Sequence, residues 1–239
     1  MNNETIGISA EVAIANAFDV SVHSEYVDRS DGNVVFLLEK DICGIFEKEG
    51  LPAPVAHVAE KQNPVDFLLE DATTLSVKTN KRGLGKVAPQ TIGQPTSKTY
   101  FEYFDDYLDI EVPTMYADKV KLFKEISINE IETVMKHYLD NLFECEHLLY
   151  FYDILDRSGR INRNYKYLYV KKRTINLDLS KDRFRFTQTI DSWAESCTVR
   201  YVTDEGKILS IGEFQEHQNR DCLKFRFNMK NLLKLICAQ

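Results

Sequence analysis

The stretch PVDFLLEDATTLSVKTNKRG, residues 64–83, decides how the N-terminal part of the chain folds. Two short runs rich in Val, Leu and Phe flank a polar turn at residues 71–74, which is the pattern of an antiparallel β-hairpin. A basic segment follows the second run, although the whole chain carries a formal charge of −7. Basic residues that end a strand in an acidic protein point to an anionic partner at this edge.

The hairpin places Asp66 and Lys78 at the facing ends of its two strands. Alternation along the second strand puts Ser76 and Lys78 on one face. The opposite face carries Leu75, Val77 and Thr79. A carboxylate beside an ammonium suits phosphodiester hydrolysis, because the carboxylate can hold a hard divalent cation and the ammonium can orient a water. On spacing alone, such a pair is in most proteins a chance, solvated ion pair.

Apolar spacing of three or four residues predicts helices around the hairpin, and short β-rich runs predict strands in the last third. The first helix has one apolar face, and residues 83–95 are dense in Gly and Pro, which predicts an irregular loop. Helices are predicted at 4–19, 33–48, within 98–155 and at 229–238. Strands are predicted at 64–70, 75–80, 165–171, 182–190, 197–202, 207–215 and 222–227.

This order of elements predicts a mixed α/β (α+β) fold, with a central mixed β-sheet flanked by helices. The 239 residues suffice for one large domain or two small ones. We expect a single domain over 1–239. Its catalytic core lies mainly in 1–95, a helical block occupies 98–155, and a strand-rich, basic part occupies 160–239.

Charge is unevenly distributed along the chain. Residues 1–79 hold 5 Lys/Arg and 14 Asp/Glu, residues 80–159 hold 9 and 14, and residues 160–239 hold 16 and 9. The gradient indicates an anionic partner for the C-terminal third, although unequal charge on different solvated faces is common.

The N-terminus lacks the layout of a signal peptide, and no apolar run is long enough to span a bilayer, so we expect a cytoplasmic protein with no membrane partner. The five cysteines have wide, irregular spacing and form neither a Cys-x-x-Cys pair nor a zinc cluster. They are Cys43, Cys145, Cys197, Cys222 and Cys237. We expect reduced thiols in the core.

Residues 64–66 (Pro-Val-Asp) and 76–78 (Ser-Val-Lys) resemble the PD-(D/E)xK core of many type II restriction endonucleases. In that family an Asp opens one strand and an acid-x-Lys triplet lies on the next. A Glu often lies on an upstream helix in a G-x-x-x-E-x-x-x-A context, which residues 7–15 match with Glu11 at the centre. The resemblance covers the N-terminal ninety or so residues and, more loosely, the C-terminus.

One position departs from the family pattern, because Ser76 stands where the family usually has an acid. The catalytic residues that the resemblance implies are Asp66, Lys78, Ser76 and Glu11. The Mg²⁺ ligands that it implies are Asp66, Glu11 and the backbone carbonyl of Val77. Glu11 then supplies the charge that Ser76 lacks, and the turn carboxylates of Glu70 and Asp71 are alternative ligands.

Beside such a site, the basic segment after Lys78 suits DNA binding, because Lys and Arg neutralise phosphates while Gln and Asn pair with base edges. A second dense group of hydrogen-bonding side chains lies at residues 215–220, where a polar β-turn is nearly as good an interpretation. The predicted DNA-binding residues are Lys81, Arg82, Lys86, Gln90, Gln94, Gln215, His217, Asn219 and Arg220.

Basic residues alternate with apolar ones in the C-terminal third, which predicts one basic strand face that binds phosphates; an ordinary amphipathic sheet explains the pattern too. Its residues are Lys171, Lys172, Arg173, Arg183 and Arg185. The aromatic residues Tyr150, Phe151 and Tyr152 are predicted to lie in the core.

The resemblance implies a bacterial type II restriction endonuclease that cleaves double-stranded DNA at a specific sequence with Mg²⁺ and leaves 5′-phosphates. A DNA repair or recombination nuclease is one alternative. A non-catalytic DNA-binding protein with a degenerate nuclease core is another, and Ser76 favours it. The expected partners are double-stranded DNA, a cognate DNA methyltransferase and a second copy of the chain, although monomeric enzymes also occur in the family.

Overall fold

The structure is a computed structural model that describes residues 1–59, 63, 65–172, 176–217 and 220–237. Its helices are α1 (Asn3–Ala17), α2 (Ser24–Arg29), α3 (Gly32–Glu49), α4 (Ser97–Asp105), α5 (Tyr116–Asn129), α6 (Ile131–Leu142) and α7 (Met229–Cys237). Its strands are β1 (Pro54–His57), β2 (Phe67–Leu69), β3 (Thr74–Asn80), β4 (Lys86–Val87), β5 (His147–Tyr152), β6 (Lys166–Lys171), β7 (Phe184–Phe186), β8 (Ser196–Val202), β9 (Ile208–Glu216) and β10 (Leu223–Asn228).

The chain divides into two compact units, each with its own sheet. The first unit comprises Met1–Gly85 and Phe143–Ile175, and the second comprises Lys86–Leu142 and Asn176–Gln239. The predicted mixed α/β fold is confirmed. The strands, however, form two sheets instead of one central sheet.

The sheet of the first unit has the order β1-β2-β3-β5-β6. The predicted hairpin is confirmed, because β2 pairs antiparallel with β3 and Phe67 lies opposite Leu75. Strand β5 then pairs parallel with β3. The prediction of helix through residue 155 was wrong here: residues 147–152 are almost wholly buried, and a strand buried on both faces shows no alternation that would distinguish it from a helix.

Helix α1 packs against both β3 and α3. The sequence predicted one apolar face, but Ile8, Val12 and Ala15 are buried as well, so most of the helix circumference lies in the core. Small residues permit this close packing. A Cβ atom added to Gly7 would lie 3.5 Å from Oγ1 of Thr79 on β3, which shows how near the helix runs to the strand.

The sheet of the second unit is antiparallel throughout, with the order β4-β10-β9-β8-β7. Part of the predicted irregular loop forms β4, which pairs with β10. Aromatic side chains fill one face of the sheet and pack on helices of the same unit. The ring of Phe225 stacks on Tyr138 of α6 at 4.3 Å between centroids, and Phe214 contacts Phe123 of α5 at 5.9 Å.

The described cysteines are free thiols. Cys145, Cys197 and Cys222 are buried as predicted, but Cys43 is exposed because it lies on the outward side of α3. The side chain of Cys237 lies outside the described part of the chain. Within the described ranges, no helix has both the length and the apolar character needed to cross a bilayer.

The Gly212→Ala substitution tests the packing of the aromatic face in the second unit. A Cβ atom at this position would meet the Phe225 ring at 2.5 Å, so we expect the free energy of unfolding to fall by about 1–3 kcal/mol through overpacking. The matched control is Gly44→Ala, in an open position of α3, which should gain about 0.5–1 kcal/mol. Denaturant unfolding followed by circular dichroism measures both, and equal effects would contradict this packing.

Candidate active site

The carboxylate of Asp66 lies at the start of the hairpin and is 4% exposed. The Asp66 N–H donates to the carbonyl of Leu75 on β3 at 3.0 Å, and its carbonyl accepts from Val58 N at 2.9 Å. Oδ2 accepts hydrogen bonds from the backbone N–H of Val77 at 2.5 Å and from the hydroxyl of Ser76 at 3.0 Å. The hairpin therefore fixes this carboxylate from both backbone and side chain.

Lys78 completes this group on the same face of β3. Its Nζ lies 3.8 Å from Oδ2 of Asp66, and its side chain is 14% exposed. The predicted juxtaposition of Asp66 with Ser76 and Lys78 is thus confirmed. The buried thiol of Cys145 lies within their electrostatic influence, and burial raises its pKa to about 11, which keeps it protonated.

Glu11 projects from α1 toward the same group of charges. Its Oε2 lies 2.9 Å from Nε2 of His57 on β1, and the two side chains are 12% and 5% exposed. Burial is the main cause that raises the pKa of Glu11. The hydrogen bond to His57 opposes this rise, the charge of Asp66 adds to it, and that of Lys78 opposes it. Two carboxylates and one ammonium therefore lie within electrostatic range of one another, and all three side chains are poorly solvated.

His57 was missed by the sequence analysis, because β1 is only four residues long and carries no alternating pattern. Its ring lies between two aromatic side chains, with centroids 4.6 Å from Tyr26 and 5.0 Å from Phe67. These contacts fix the orientation of the imidazole that holds Glu11. A lone histidine in a short strand offers no sequence signal of this role.

The orientation of β3 bears on the predicted ligand at Val77. The Leu75 carbonyl and the Val77 N–H both point to the Asp66 side of the strand. Since backbone groups of a strand alternate in direction with period two, the Val77 carbonyl points to that side too. The Asp66 carboxylate and the Val77 carbonyl therefore lie on the same side of β3, and both are oxygen donors of the kind that Mg²⁺ prefers.

No group of three or more His, Cys, Asp or Glu side chains suited to a metal ion occurs among the described residues. Mg²⁺ sites in proteins commonly use only one or two carboxylates together with water and substrate phosphates. The turn carboxylates are engaged elsewhere. Oε1 of Glu70 accepts from Ala53 N at 3.1 Å, and Oδ1 of Asp71 accepts from Thr73 N at 3.0 Å.

The predicted DNA-binding residues divide between the two units. Lys81 and Arg82 follow β3 in the first unit and are exposed. The guanidinium of Arg82 donates to the carbonyls of Asp156 at 3.1 Å and Arg157 at 3.2 Å, which ties the segment after β3 to the loop after β5.

The remaining predicted DNA-binding residues that the structure describes lie in the second unit: Lys86, Gln90, Gln94, Gln215, His217 and Arg220. Nε2 of Gln215 donates to Glu213 at 2.9 Å, and Arg220 lies 3.2 Å from the ring of His217. Asn219 lies outside the described residues.

The predicted single basic strand face was wrong. Lys171 and Lys172 lie at the end of β6 in the first unit, whereas Arg183 and Arg185 belong to the second unit at β7. Arg173 lies outside the described part of the chain. Arg183 pairs with Asp178 and Asp204, which raise its pKa, so its charge is neutralised within the protein. Separately, Tyr150 and Phe151 lie in the core as predicted, and Tyr152 is half-buried.

Comparison with known proteins adds one relative. No family model matches the chain, and no solved structure matches it. Over 170 residues the chain is 33% identical to the type II restriction enzyme CviAII of Paramecium bursaria Chlorella virus 1. The match covers 71% of this chain and 43% of that enzyme, so the chain spans less than half the length of its relative. The chain is thus similar to an enzyme of the class that the motifs predicted.

The His57→Phe substitution tests whether this histidine holds Glu11. Phe preserves the ring contacts but leaves a buried carboxylate without its partner, so we expect the free energy of unfolding to fall by about 1–3 kcal/mol. His57→Gln keeps a donor and should lose less. Denaturant unfolding measures both variants. If the Phe variant is as stable as the wild type, the hydrogen bond does not hold Glu11.

Proposed function

We propose that the protein is a Mg²⁺-dependent type II restriction endonuclease that hydrolyses phosphodiester bonds of double-stranded DNA. The observation that carries the proposal is the ion pair of buried Asp66 with Lys78, with the poorly solvated carboxylate of Glu11 within electrostatic range of both. The similarity to a type II restriction enzyme supports the same conclusion. Because the match covers less than half of that relative, the activity, substrate and partners are inferred from the site.

Asp66 and Glu11 would hold the cation, with the Val77 carbonyl as a third oxygen ligand. When bound, Mg²⁺ polarises the phosphate and lowers the pKa of a coordinated water. The ammonium of Lys78 orients the attacking water and offsets negative charge that develops on phosphorus. The water oxygen forms a bond to phosphorus as the bond to the 3′-oxygen breaks, which leaves a 5′-phosphate and a 3′-hydroxyl.

Ser76 stands where the family usually has an acid, and this difference would be expected in a DNA-binding protein that has lost catalysis. Its hydroxyl donates to Asp66 at 3.0 Å and is fully buried, so it stabilises the carboxylate at this position. The site retains two acids because Glu11 provides the second. This arrangement favours an enzyme over a relic, with Ser76 as a residue that positions Asp66 beside the scissile phosphate.

A restriction enzyme also implies a cognate DNA methyltransferase that protects the host's own sites. Methylation protection distinguishes this function from that of a repair or recombination nuclease. A palindromic target would be matched by a homodimer, because two-fold symmetry in the DNA is met by two-fold symmetry in the protein.

Cleavage of plasmid DNA tests the proposed activity. We expect the wild type with Mg²⁺ to give discrete fragments with 5′-phosphate ends, and Lys78→Ala to lose about 10²–10³-fold in single-turnover rate. The matched control is Lys40→Ala, an exposed position on α3, which should cut at the wild-type rate. If the wild-type protein retards DNA on a gel but gives no discrete fragments, the proposed enzyme activity is wrong and the protein is a DNA-binding protein.

Replacement of Ser76 by Asp tests the metal site without relying on activity. In the absence of divalent cations, a new carboxylate beside buried Asp66 should lower the free energy of unfolding by about 3 kcal/mol. Mg²⁺ should recover much of this loss, because a ligand that binds the folded state stabilises it.

The control for this substitution is Ser76→Asn, a neutral side chain of the same shape, which should respond to Mg²⁺ no more than the wild type. Thermal unfolding with EDTA and with Mg²⁺ measures all three proteins. An equal Mg²⁺ response of the Asp and Asn variants would count against a cation at Asp66.

A further inference from the structure

The second sheet has a polar face opposite its aromatic face. Cross-strand partners share a face, so Lys224 lies beside Gln215, and Arg226 lies beside Glu213. Thr198 of β8 also pairs with Glu213, and Arg200 follows two residues later on the same face. The cations on this side are termed the basic face, which comprises Lys86, Arg185, Arg200, Lys224 and Arg226.

The alternation of burial along the strands shows which face of the sheet is turned toward the core. Along β10, Leu223, Phe225 and Phe227 are buried, and the residues between them are partly exposed. Along β8, Cys197 and Val199 are buried, while Arg200 is exposed. Strict alternation therefore keeps the basic face out of the hydrophobic core of the unit.

Like charges meet on the basic face. Arg185 lies directly opposite Arg200 across β7 and β8, a pairing that destabilises a sheet in isolation. Lys224 is crowded in the same way: burial and the nearby charges of Arg226 and Arg220 lower its pKa. The Arg185–Arg200 pair and Lys224 therefore concentrate positive charge on this face.

Among the described strand residues of the sheet, Glu213 provides the one carboxylate on the basic face. It pairs with Lys86 and lies 3.6 Å from the Arg226 guanidinium, so it is shared between two cations. Nε of Arg226 is buried and has no hydrogen-bond partner in the described structure. An unpaired buried N–H destabilises the fold, while 29% of the Arg226 side chain remains exposed.

From these observations we infer that the basic face binds the phosphate backbone of duplex DNA. This inference rests on the proposed nuclease function and adds a second contact surface to it. The cations lie on four of the five strands, neighbouring strands are about 4.8 Å apart, and Lys224 and Arg226 are about 7 Å apart along β10. A DNA strand presents one phosphate per about 3.4 Å of helix axis, so each cation finds a phosphate within reach.

The neighbouring side chains fit the same ligand. Thr198 and Gln215 lie between the cations and can donate to phosphate oxygens, as hydroxyl and amide groups do in DNA complexes. His217 and Arg220 lie beyond the end of β9, with Arg220 3.2 Å from the His217 ring. Burial and then the charges of Arg220 and Lys224 lower the pKa of His217. His217 and Arg220, which the sequence predicted to bind DNA, therefore lie close to the cations of β10.

The salt dependence of DNA affinity tests the basic face. Fluorescence anisotropy of the full chain with a 20-base-pair duplex in EDTA gives the slope of log affinity against log salt. Each phosphate contact contributes about one unit to this slope. We expect Arg185→Gln/Arg200→Gln to reduce the slope by about two and Lys224→Gln to reduce it by about one. Both variants relieve like-charge repulsion and should remain folded.

The matched control is Lys98→Gln/Lys121→Gln. These exposed cations lie on α4 and α5 of the same unit. The two helices contact each other through the rings of Tyr100 and Phe123. The control removes the same charge and should keep the wild-type slope.

Two outcomes overturn the proposal. If the face variants and the control all keep the wild-type slope while the wild-type protein cleaves DNA with Mg²⁺, the basic face is wrong and the proposed function stands. If the wild type neither binds nor cleaves DNA, both fail together.

Discussion

The hydrogen bond from the Val77 N–H to the Asp66 carboxylate is the interaction on which the candidate site depends. It extends the pairing of the hairpin past the first residue of β2, where the Asp66 side-chain oxygen replaces the backbone acceptor that the Val77 N–H of β3 would otherwise lack. An unpaired N–H in this buried strand would cost about 1–3 kcal/mol. The same bond that completes the sheet therefore holds the carboxylate in place beside Lys78.

This arrangement explains how the site tolerates serine at position 76. The hydroxyl supports Asp66 by a second hydrogen bond and adds no charge to a buried site that already contains Glu11. The two acids come from different elements, α1 and the start of the hairpin, and His57 from β1 fixes one of them. Charge in the site is thus set by tertiary packing, since neither acid is adjacent to the other in sequence.

Much of the first unit could be predicted because its determinants are local. Asp66 and Lys78 lie on one hairpin, and strand alternation fixes which of the intervening side chains face them. His57 and the parallel strand β5 could not be predicted, because each depends on a partner far along the chain. The run at 147–152 is buried on both faces, so its sequence carries no period that favours strand over helix.

In the second unit, too, the sequence alone did not show which charged side chains lie on one surface. The sequence predicted a basic C-terminal third, and that excess is real, but it assigned Lys171 and Arg185 to one face. The structure places them in different sheets and gives Arg185 a new neighbour, Arg200, through the β7–β8 pairing. Which cations combine into a surface depends on strand order, and strand order is a property of the whole fold.

The most direct test of the central claim is the position of Mn²⁺, a substitute for Mg²⁺, in a crystal of the protein, located by its anomalous X-ray scattering. We expect an anomalous peak within coordination distance of the Asp66 and Glu11 carboxylates and the Val77 carbonyl, and loss of this peak in Asp66→Asn. A well-ordered Asp66 with no peak beside it, at Mn²⁺ concentrations that support DNA cleavage, would contradict a cation site at Asp66.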